Sequence, residues 1–223
     1  MPYTYEYPHP AVTTDVVIFT IRGQKLEVLL VKRRNEPYAG SWALPGGFVD
    51  IEEDLDTCAK RELFEETNVD GVYLEQLYTF GAMNRDPRER VITVAYFALV
   101  PAEKLPQARA GSDTEDVGWY AVESCPPLAF DHGEIIRIAR ERVSAKARYS
   151  TVAMHFLPGL FTLSELQRIY EVLLQERLDK RNFRKWILSL DCIIDSGEVR
   201  RSGQHRPARL FRAKNPNIVT FIK

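Results

Sequence analysis

Three glutamates in one segment have the spacing of a cation-binding surface. Glu62, Glu65 and Glu66 occupy positions i, i+3 and i+4, which on a helix places the three carboxylates on one face within a single turn. Like charges at this spacing repel, so the arrangement is unfavourable without a counter-charge. Hard divalent cations that prefer oxygen ligands, Mg²⁺ or Mn²⁺, are the natural partners. Such cations bridge phosphate oxygens and lower the pKa of bound water, so the segment predicts metal-dependent chemistry on phosphates.

Residues on the N-terminal side of the triad support this interpretation. The Gly46-Gly47 turn lets the backbone approach a metal closely, where a side chain would obstruct it. Arg61 directly precedes the first glutamate, and its guanidinium group can hold a neighbouring carboxylate through two hydrogen bonds. The alternative is a solvated acidic helix, which three glutamates alone would favour. Gly47, Glu53 and Arg61 at fixed offsets from the triad argue against that alternative.

The segment from Gly47 to Val69 resembles the Nudix box, whose pattern is G-x5-E-x7-R-E-U-x-E-E-x-G-U with U aliphatic. The matching positions are Gly47, Glu53, Arg61, Glu62, Leu63, Glu65, Glu66 and Val69. Asn68 stands where the pattern has glycine. Asparagine is the next most tolerant residue for a left-handed helix C-terminus, so we expect the local geometry to be preserved.

The resemblance implies a role for each matching residue. The family's metal ligands correspond to Glu62, Glu65, Glu66 and, through its carbonyl oxygen, Gly46. Glu53 corresponds to a supporting acid, and Arg61 to the residue that orients the carboxylates. The resemblance therefore implies five charged catalytic residues: Glu53, Arg61, Glu62, Glu65 and Glu66. In the implied reaction, a metal-bound water would attack one phosphorus of a nucleoside diphosphate that is linked to a second moiety. The general base stays open, because Nudix enzymes differ in which glutamate or loop residue serves.

A second stretch bears on the substrate. The run Asp86-Pro87-Arg88-Glu89-Arg90-Val91 resembles a stretch of Nudix proteins that bind ADP-ribose, and so does Phe130-Asp131-His132. Arg33 and Arg88 are candidate contacts to the diphosphate or ribose, with a surface arginine as the alternative for each. Glu115 is a candidate for assisting a metal or base from its loop. We expect His132 to be structural rather than catalytic.

The C-terminal part of the chain has a different charge. Residues 177–214 carry a net charge of +7, whereas the rest of the chain carries −8. Residues 180–190 predict a two-faced helix, with Phe183 and Trp186 on one side and cations on the other. The predicted DNA-binding residues are Lys180, Arg181, Asn182, Arg184 and Lys185 on this helix and Arg200, Arg201 and Arg206 in the following hairpin. A solvated basic helix is the alternative.

The order of elements favours DNA binding over that alternative. Thr162 and Glu165 form a predicted capping box before a helix, Asp179 begins the second helix, and a basic hairpin follows. Helix, helix and hairpin is the layout of a winged helix-turn-helix. Moreover, residues 161–167 and 178–185 resemble the C-terminal domain of Nudix-related transcriptional regulators of NAD metabolism. That resemblance implies a dimeric repressor that senses ADP-ribose; some members keep pyrophosphatase activity and some have lost it.

Elements that must position these residues can be read from the N-terminal part. Strands are predicted near 16–21, 26–31, 72–80, 91–99 and 117–121, and helices over 54–67 and 134–144. Tyr38 to Gly47 is predicted as a loop, and 145–161 as a connection between domains. We therefore predict an α/β (α+β) fold: a Nudix α/β/α sandwich over 1–150 and a winged helix DNA-binding domain over 151–223.

Composition limits the location of the protein. The 223 residues include three cysteines, an odd number without a CxxC pair, which suits reduced thiols. No stretch approaches the roughly 18 uninterrupted apolar residues of a membrane helix. The N-terminus has neither the basic nor the apolar region of a secretory signal. We expect a cytoplasmic protein with no membrane partner.

Three functional hypotheses follow from these observations. The first is a homodimeric transcriptional regulator that binds ADP-ribose or a similar nucleotide, binds double-stranded DNA through its winged helix and retains hydrolysis. A plain Nudix hydrolase with a dimerising C-terminal domain is the second. A related regulator that responds to a sugar is the third. The intact acidic box argues against the third hypothesis and the basic segment against the second, so the first is favoured.

Overall fold

The computed structural model describes residues 4–68, 70–105, 114–201 and 207–222, with only the backbone described for Thr67, Thr114 and Glu115. The chain forms two compact units. The first consists of Met1–Phe19, Val28–Ala98 and Pro106–Ala139, and the second of Thr20–Glu27, Leu99–Leu105 and Arg140–Lys223. The predicted domains, 1–150 and 151–223, stay a prediction about which residues serve each function.

Seven strands form one sheet. They are β1 (Ala11–Arg22), β2 (Lys25–Arg33), β3 (Trp42–Ala43), β4 (Gly46–Phe48), β5 (Tyr73–Phe80), β6 (Val91–Leu99) and β7 (Thr114–Ala121). The order is β3-β2-β1-β6-β5, with β4 paired to β1 and β7 to β2. Strands β1 and β6 are buried over most of their length, as expected for central strands covered on both faces. The five predicted strands are confirmed.

The predicted loop from Tyr38 to Gly47 is wrong in part, because β3 and β4 lie there. Both strands are too short to show an alternation of apolar and polar residues. Strand β4 pairs antiparallel with β1, so that Gly46 lies opposite Asp15 and Gly47 opposite Thr14. This pairing, rather than a free turn, places the two glycines beside the acidic helix.

Helix α1 (Leu55–Thr67) carries the three glutamates, and its ends agree with the prediction. The Asp54 side chain accepts a hydrogen bond from the Thr57 amide at 2.7 Å, which caps the N-terminus. Asn68 is left-handed, with φ of 53°, and its amide donates to the Phe64 carbonyl. Asparagine therefore provides here the conformation for which the pattern has glycine. Helix α2 (His132–Ala147) begins earlier and ends later than predicted.

The second unit contains a helix-turn-helix and a hairpin. Helix α3 (Leu163–Leu174) begins with the predicted capping box, in which Thr162 Oγ1 accepts from the Glu165 amide and Glu165 Oε2 from the Thr162 amide. Helix α4 (Lys180–Ser189) follows after Asp179, which caps it as predicted. Strands β8 (Ile193–Arg200) and β9 (Ala208–Ala213) pair antiparallel, and Phe161 adds a bridge to Phe211.

The two helices pack through an aromatic cluster. Tyr170 of α3 contacts Phe183 and Trp186 of α4, with ring centroids 5.5 and 5.3 Å apart. The turn between the helices is fixed at Leu178, whose amide donates to Glu171 Oε1 and whose carbonyl accepts from Gln167 Nε2. Both polar backbone groups of this residue are thus bonded to side chains of α3, which sets the direction of α4.

The predicted connection at 145–161 is largely a packed segment. Helix α2 extends to Ala147, and a 3₁₀ helix follows at Thr151–Phe156, most of which is buried. Short 3₁₀ segments have no long apolar period, so the sequence pattern did not reveal it.

Cys58, Cys125 and Cys192 are free thiols. Among the helices that the structure describes, none has the length and hydropathy needed to span a membrane.

Candidate functional site

A cavity of about 620 Å³ lies in the first unit. Its walls come from β1, the end of β2 and the loop after it, the β3–β4 connection, α1, the loop before β6 and the start of α2. It is lined by residues that were predicted to bind metal or substrate: Gly46, Glu62, Glu65, Glu66, Arg33 and Arg88. The fold therefore gathers the acidic helix and two predicted substrate-binding arginines around one space.

Arg61 connects the acidic side chains. Its Nη2 and Nε donate to Glu53 at 2.7 and 3.2 Å, and its Nη1 donates to Glu62 Oε1 at 2.7 Å. A Glu65 oxygen lies 3.5 Å from the same Nη1. The hydrogen bonds from Arg61 lower the pKa of Glu53 to about 2, whereas burial raises the pKa of Glu62. The arginine thus holds several of the predicted catalytic residues, as the sequence indicated.

Glycine is required at both positions of β4 that border the acidic helix. A Cβ atom on Gly47 would collide with Glu62 Oε1, and one on Gly46 would collide with the Thr14 carbonyl and lie 2.8 Å from Asp15 Oδ1. Neither conflict could be relieved by a small shift, since backbone or a held carboxylate is on the other side. Close approach, rather than an unusual φ, is therefore the reason for the two glycines.

The predicted substrate residues differ in their surroundings. Arg33 donates from Nε to the Pro37 carbonyl at 2.9 Å, and its guanidinium carbon lies 4.8 Å from the centre of the Phe130 ring. Arg88 forms a two-point ion pair with Asp86 at 2.7 and 3.0 Å. Both arginines still line the cavity. Glu115 lies in β7, but its side chain lies outside the described residues.

One buried group of charges was not identified as a site from the sequence. Arg85 donates to Asp131 at 2.7 and 3.0 Å and to Asp15 Oδ2 at 3.3 Å, and its side chain is 4% exposed. His132 Nε2 lies 3.6 Å from Asp15 Oδ1. Arg85, Asp15 and His132 all line the cavity. The available signal was Asp15, a single charge directly before an apolar strand run.

In the second unit, the predicted DNA-binding residues of α4 are exposed: Lys180, Arg181, Asn182, Arg184 and Lys185. Among the described residues, no acidic partner is found for the four cations of this helix. Phe183 and Ile187 on the other face are buried. The helix therefore packs by its apolar face and presents uncompensated positive charge, which is suited to phosphate contacts.

Two cations of the hairpin, Arg200 and Arg209, have partners within the unit. Arg200 donates to Glu165 Oε1 at 2.6 Å and to the Leu160 carbonyl at 3.1 Å. Arg209 pairs with Asp195 at 3.2 Å. Arg201 is exposed, and Arg206 lies outside the described residues. Arg200 thus braces the hairpin against the start of α3, and its assignment to DNA stays a prediction.

Two protein-family models match different parts of the chain. Residues 9–138 match the NUDIX domain model, and residues 153–213 match the NrtR DNA-binding winged helix domain.

The chain belongs to the Nudix family.

With the winged helix match, the resemblance to Nudix-related regulators and the predicted fold class are both confirmed.

Three relatives indicate the branch of the Nudix family. The ADPR responsive transcriptional repressor NtrR of Acinetobacter baylyi is 39% identical over 93% of this chain and 83% of its own length. Shewanella oneidensis NrtR complexed with a 27mer DNA has a TM-score of 0.84 at 40% identity and covers 92% of this chain and 94% of that one. The NUDIX domain of the same protein complexed with ADP ribose has a TM-score of 0.56 at 41% identity. That match covers 61% of this chain and 90% of the domain's chain. An ADP-ribose pyrophosphatase of Methanocaldococcus jannaschii is 36% identical, over 59% of this chain and 73% of its own.

Nudix hydrolases generally use a divalent metal, and the residues here fit such an ion by donor chemistry. The carboxylates and the Gly46 carbonyl offer oxygen ligands, and the absence of a Cβ at Gly47 leaves room beside Glu62. In the part of the chain that the structure describes, no three acidic, histidine or cysteine side chains form a ready-made metal site. Glu62 is bonded to Arg61, and the Glu65 side chain is 54% exposed.

Proposed function

We propose that this Nudix protein is a transcriptional repressor whose affinity for DNA responds to ADP-ribose or a related nucleoside diphosphate. The observation that carries the proposal is the combination, in one chain, of a Nudix domain with all box carboxylates and an NrtR-type winged helix. The relatives named above are described as an ADPR-responsive repressor and as NrtR in complex with DNA. A DNA-binding regulator acts where the chromosome is, so we place the protein in the cytoplasm.

The charges of the cavity support a diphosphate ligand. Arg33 and Arg88 are the candidate contacts to its phosphate or ribose oxygens, since both line the cavity and present guanidinium groups. The Phe130 ring beside Arg33 provides an apolar surface at the same place. Glu115 is retained as a candidate that assists the metal or the base. A nucleotide with two linked phosphates has the size and charge for such a mixed surface.

We further propose that the protein is an ADP-ribose pyrophosphatase dependent on Mg²⁺ or Mn²⁺. Glu62, Glu65, Glu66 and the Gly46 carbonyl would hold the ion. The bound ion supplies neutralisation of phosphate charge and a more acidic water. Arg61 and Glu53 act on the carboxylates, because Arg61 restrains Glu62 and is itself held by the two oxygens of Glu53. Hydrolysis of the diphosphate bond of ADP-ribose by one water would release AMP and ribose 5-phosphate.

The exposed cations of α4 support DNA binding through this helix in the major groove. Arg201 and Arg206 of the hairpin would then contact adjacent phosphates. A two-fold operator requires a two-fold protein, so we propose that the chain binds DNA as a homodimer. The functional division at 1–150 and 151–223 is part of the same proposal.

One experiment tests ligand response and hydrolysis together. A duplex selected by the full-length protein from a random pool is titrated with and without ADP-ribose in Mg²⁺, and AMP is measured in the same mixtures. We expect ADP-ribose to weaken DNA binding and AMP to accumulate. In Glu65→Gln, AMP release should disappear while the response of DNA binding to ADP-ribose remains. Glu52→Gln, at an exposed acid in the turn before α1 that occupies an unspecified position of the box pattern, is the matched control.

Each part of the proposal has an outcome that contradicts it. If no compound in a panel of nucleoside diphosphates changes DNA affinity, the protein is not a nucleotide sensor. A response to a sugar instead would favour the sugar-responsive type of regulator. If the wild-type protein cleaves none of the panel but still responds to ADP-ribose, the pyrophosphatase proposal is wrong and the repressor proposal stands. Binding and cleavage without any DNA affinity would favour the plain hydrolase.

A further inference from the structure

The backbone turn that connects β3 to β4 is held by a histidine. Leu44 is buried, and its amide donates to His132 Nδ1 at 2.8 Å. The next residue, Pro45, has no amide hydrogen, so Leu44 provides the last backbone donor before Gly46. A buried amide needs an acceptor, and here the acceptor is a side chain 88 residues away in the sequence.

The state of the imidazole follows from this bond. A ring nitrogen that accepts a hydrogen bond carries no proton, so the proton of the neutral ring is on Nε2. Burial lowers the pKa of His132, which keeps the ring neutral. Nε2 is directed toward Asp15, with Oδ1 at 3.6 Å. His132 therefore lies between the turn on one side and the Asp15 carboxylate on the other.

The groups around His132 restrain it from several directions. Asp131, its neighbour, is bonded at both oxygens to Arg85, which also reaches Asp15. The Phe130 ring lies 5.2 Å from the imidazole, centre to centre. The start of α2 thus has little freedom. A hydrogen bond accepted by a restrained ring can fix the position of a flexible backbone turn.

The position of Gly46 depends on this turn. Its carbonyl is the backbone ligand proposed for the metal, and the residue lies opposite Asp15 in the pairing of β4 with β1. The Pro45 carbonyl accepts from the Val16 amide at 2.9 Å, so backbone bonds hold one side of the turn. The bond from Leu44 to His132 is the side-chain contribution.

We propose that His132 is a positioning residue, which holds the Leu44–Gly46 turn through Nδ1 so that the Gly46 carbonyl is presented to the metal and phosphate end of the cavity. This inference rests on the ligand site of the proposed function. His132 itself touches neither the reacting phosphorus nor the water. Its contribution is directional, so an acceptor at the same place in another side chain should replace it.

Two amide substitutions distinguish this role from simple packing. Asparagine carries its acceptor oxygen on Cγ, as Nδ1 is attached to Cγ, whereas glutamine carries its oxygen one atom further, near the place of Nε2. His132→Asn should therefore retain the bond to Leu44, and His132→Gln should lose it. Both variants keep a neutral polar side chain at this buried position, so the cost of burying a polar group is similar in the two.

The test uses the full-length protein and measures three quantities: hydrogen exchange at the Leu44 amide, affinity for Mn²⁺ and the rate of AMP release. We expect His132→Asn to match the wild type within about twofold. His132→Gln should lower Mn²⁺ affinity, followed by electron paramagnetic resonance, and kcat for AMP release by about 10- to 100-fold, the usual effect of losing a supporting partner. KM should change less than kcat. Hydrogen exchange at the Leu44 amide should be faster only in His132→Gln.

Several outcomes separate this inference from the proposed function. If both variants lose activity and Mn²⁺ affinity equally, or neither does, positioning through Nδ1 is wrong. DNA affinity without ADP-ribose serves as the control for folding and should be unchanged in both variants, whereas the melting temperature should fall only in His132→Gln, whose buried Leu44 amide loses its acceptor. If the wild-type protein neither binds Mn²⁺ nor cleaves ADP-ribose, the pyrophosphatase proposal fails. Leu44 exchange then still decides whether Nδ1 holds the turn: equal protection in both variants would overturn it.

Discussion

At the scale of single residues, Arg61 determines how the charges of the cavity are arranged. Its guanidinium group bonds to Glu53 through two nitrogens and to Glu62 through the third. A planar fork can do this, whereas an ammonium group is a single point charge. The same hydrogen bonds lower the pKa of Glu53 from its ordinary value of 4.5 to about 2. Pairing at Glu53 therefore stabilises the fold above pH 4.5, and this contribution is lost as the pH falls toward 2.

We expect Arg61→Lys to lower Mn²⁺ affinity and kcat for AMP release by about 10- to 100-fold, because Glu62 and Glu53 are no longer held together. Stability at pH 7 should decrease while the melting temperature becomes less sensitive to acid between pH 5 and 3. Metal titration, product analysis and thermal unfolding measure these effects. Lys60→Arg, a change at an exposed neighbour on α1, is the control. Wild-type metal affinity in Arg61→Lys would contradict a positioning role for the fork.

Which of these residues the sequence could predict depends on how far apart they are in the chain. Glu62, Glu65 and Glu66 share a helix, so their common face follows from local periodicity. Arg85 meets Asp131 across 46 residues and Asp15 across 70. No local rule brings those side chains together, because their contacts arise from the pairing and packing of separate elements. His132 was expected to be structural rather than catalytic, but its bond to the turn at Leu44 could not be inferred.

At the scale of elements, helix α4 and the hairpin carry cations of two kinds. Those on α4 have no acidic partner among the residues described, whereas Arg200 is bonded to Glu165 and the Leu160 carbonyl. Glu165 also closes the capping box of α3 through its other oxygen. A cation that is already paired must give up that contact before it can contact a phosphate, so its net gain on DNA is smaller.

Substitutions of cations on α4 should therefore affect DNA binding more than substitution of the paired arginine of the hairpin. Arg184→Ala and Lys185→Ala should each weaken DNA binding and reduce the slope of log affinity against log salt by about one. Arg200→Ala should reduce the slope less than either substitution on α4, because Arg200 is already paired, and should lower the stability of the winged helix by up to about 1 kcal/mol. Fluorescence anisotropy across a salt series gives the slopes, with Lys25→Ala as an exposed control. Equal slope changes for Arg200 and Arg184 would mean that the hairpin arginine contacts DNA directly.

Elements were predictable from the sequence where they are long. The capping residues Asp54, Thr162 and Asp179 and the helices they begin were all placed correctly, since capping is a local interaction. Strands β3 and β4, with two and three residues, show no period at all. They exist because β2 and β1 offer partners for pairing. The 3₁₀ helix at Thr151–Phe156 was not predicted for a similar reason, because so short a segment has no apolar period.

At the scale of the whole molecule, the division of the sequence into an acidic and a basic part agrees with the two family matches. The basic segment at 177–214 corresponds to the winged helix match at 153–213, and the acidic box lies within the Nudix match at 9–138. Composition does not reveal how one function influences the other. That influence is a coupling free energy between two binding sites, and it belongs to neither sequence segment alone.

Linkage makes the coupling measurable from both sides. If ADP-ribose weakens DNA binding by a certain factor, DNA must weaken ADP-ribose binding by the same factor, which is commonly about 5- to 150-fold. The Glu65→Gln variant allows an equilibrium measurement because it should bind the ligand without cleaving it. Anisotropy of labelled duplex with and without saturating ADP-ribose gives one ratio. Calorimetric titration of ADP-ribose into free protein and into the DNA complex gives the other. We expect the two ratios to agree within about twofold. If they differ, ADP-ribose does not act on DNA affinity through binding at a single site.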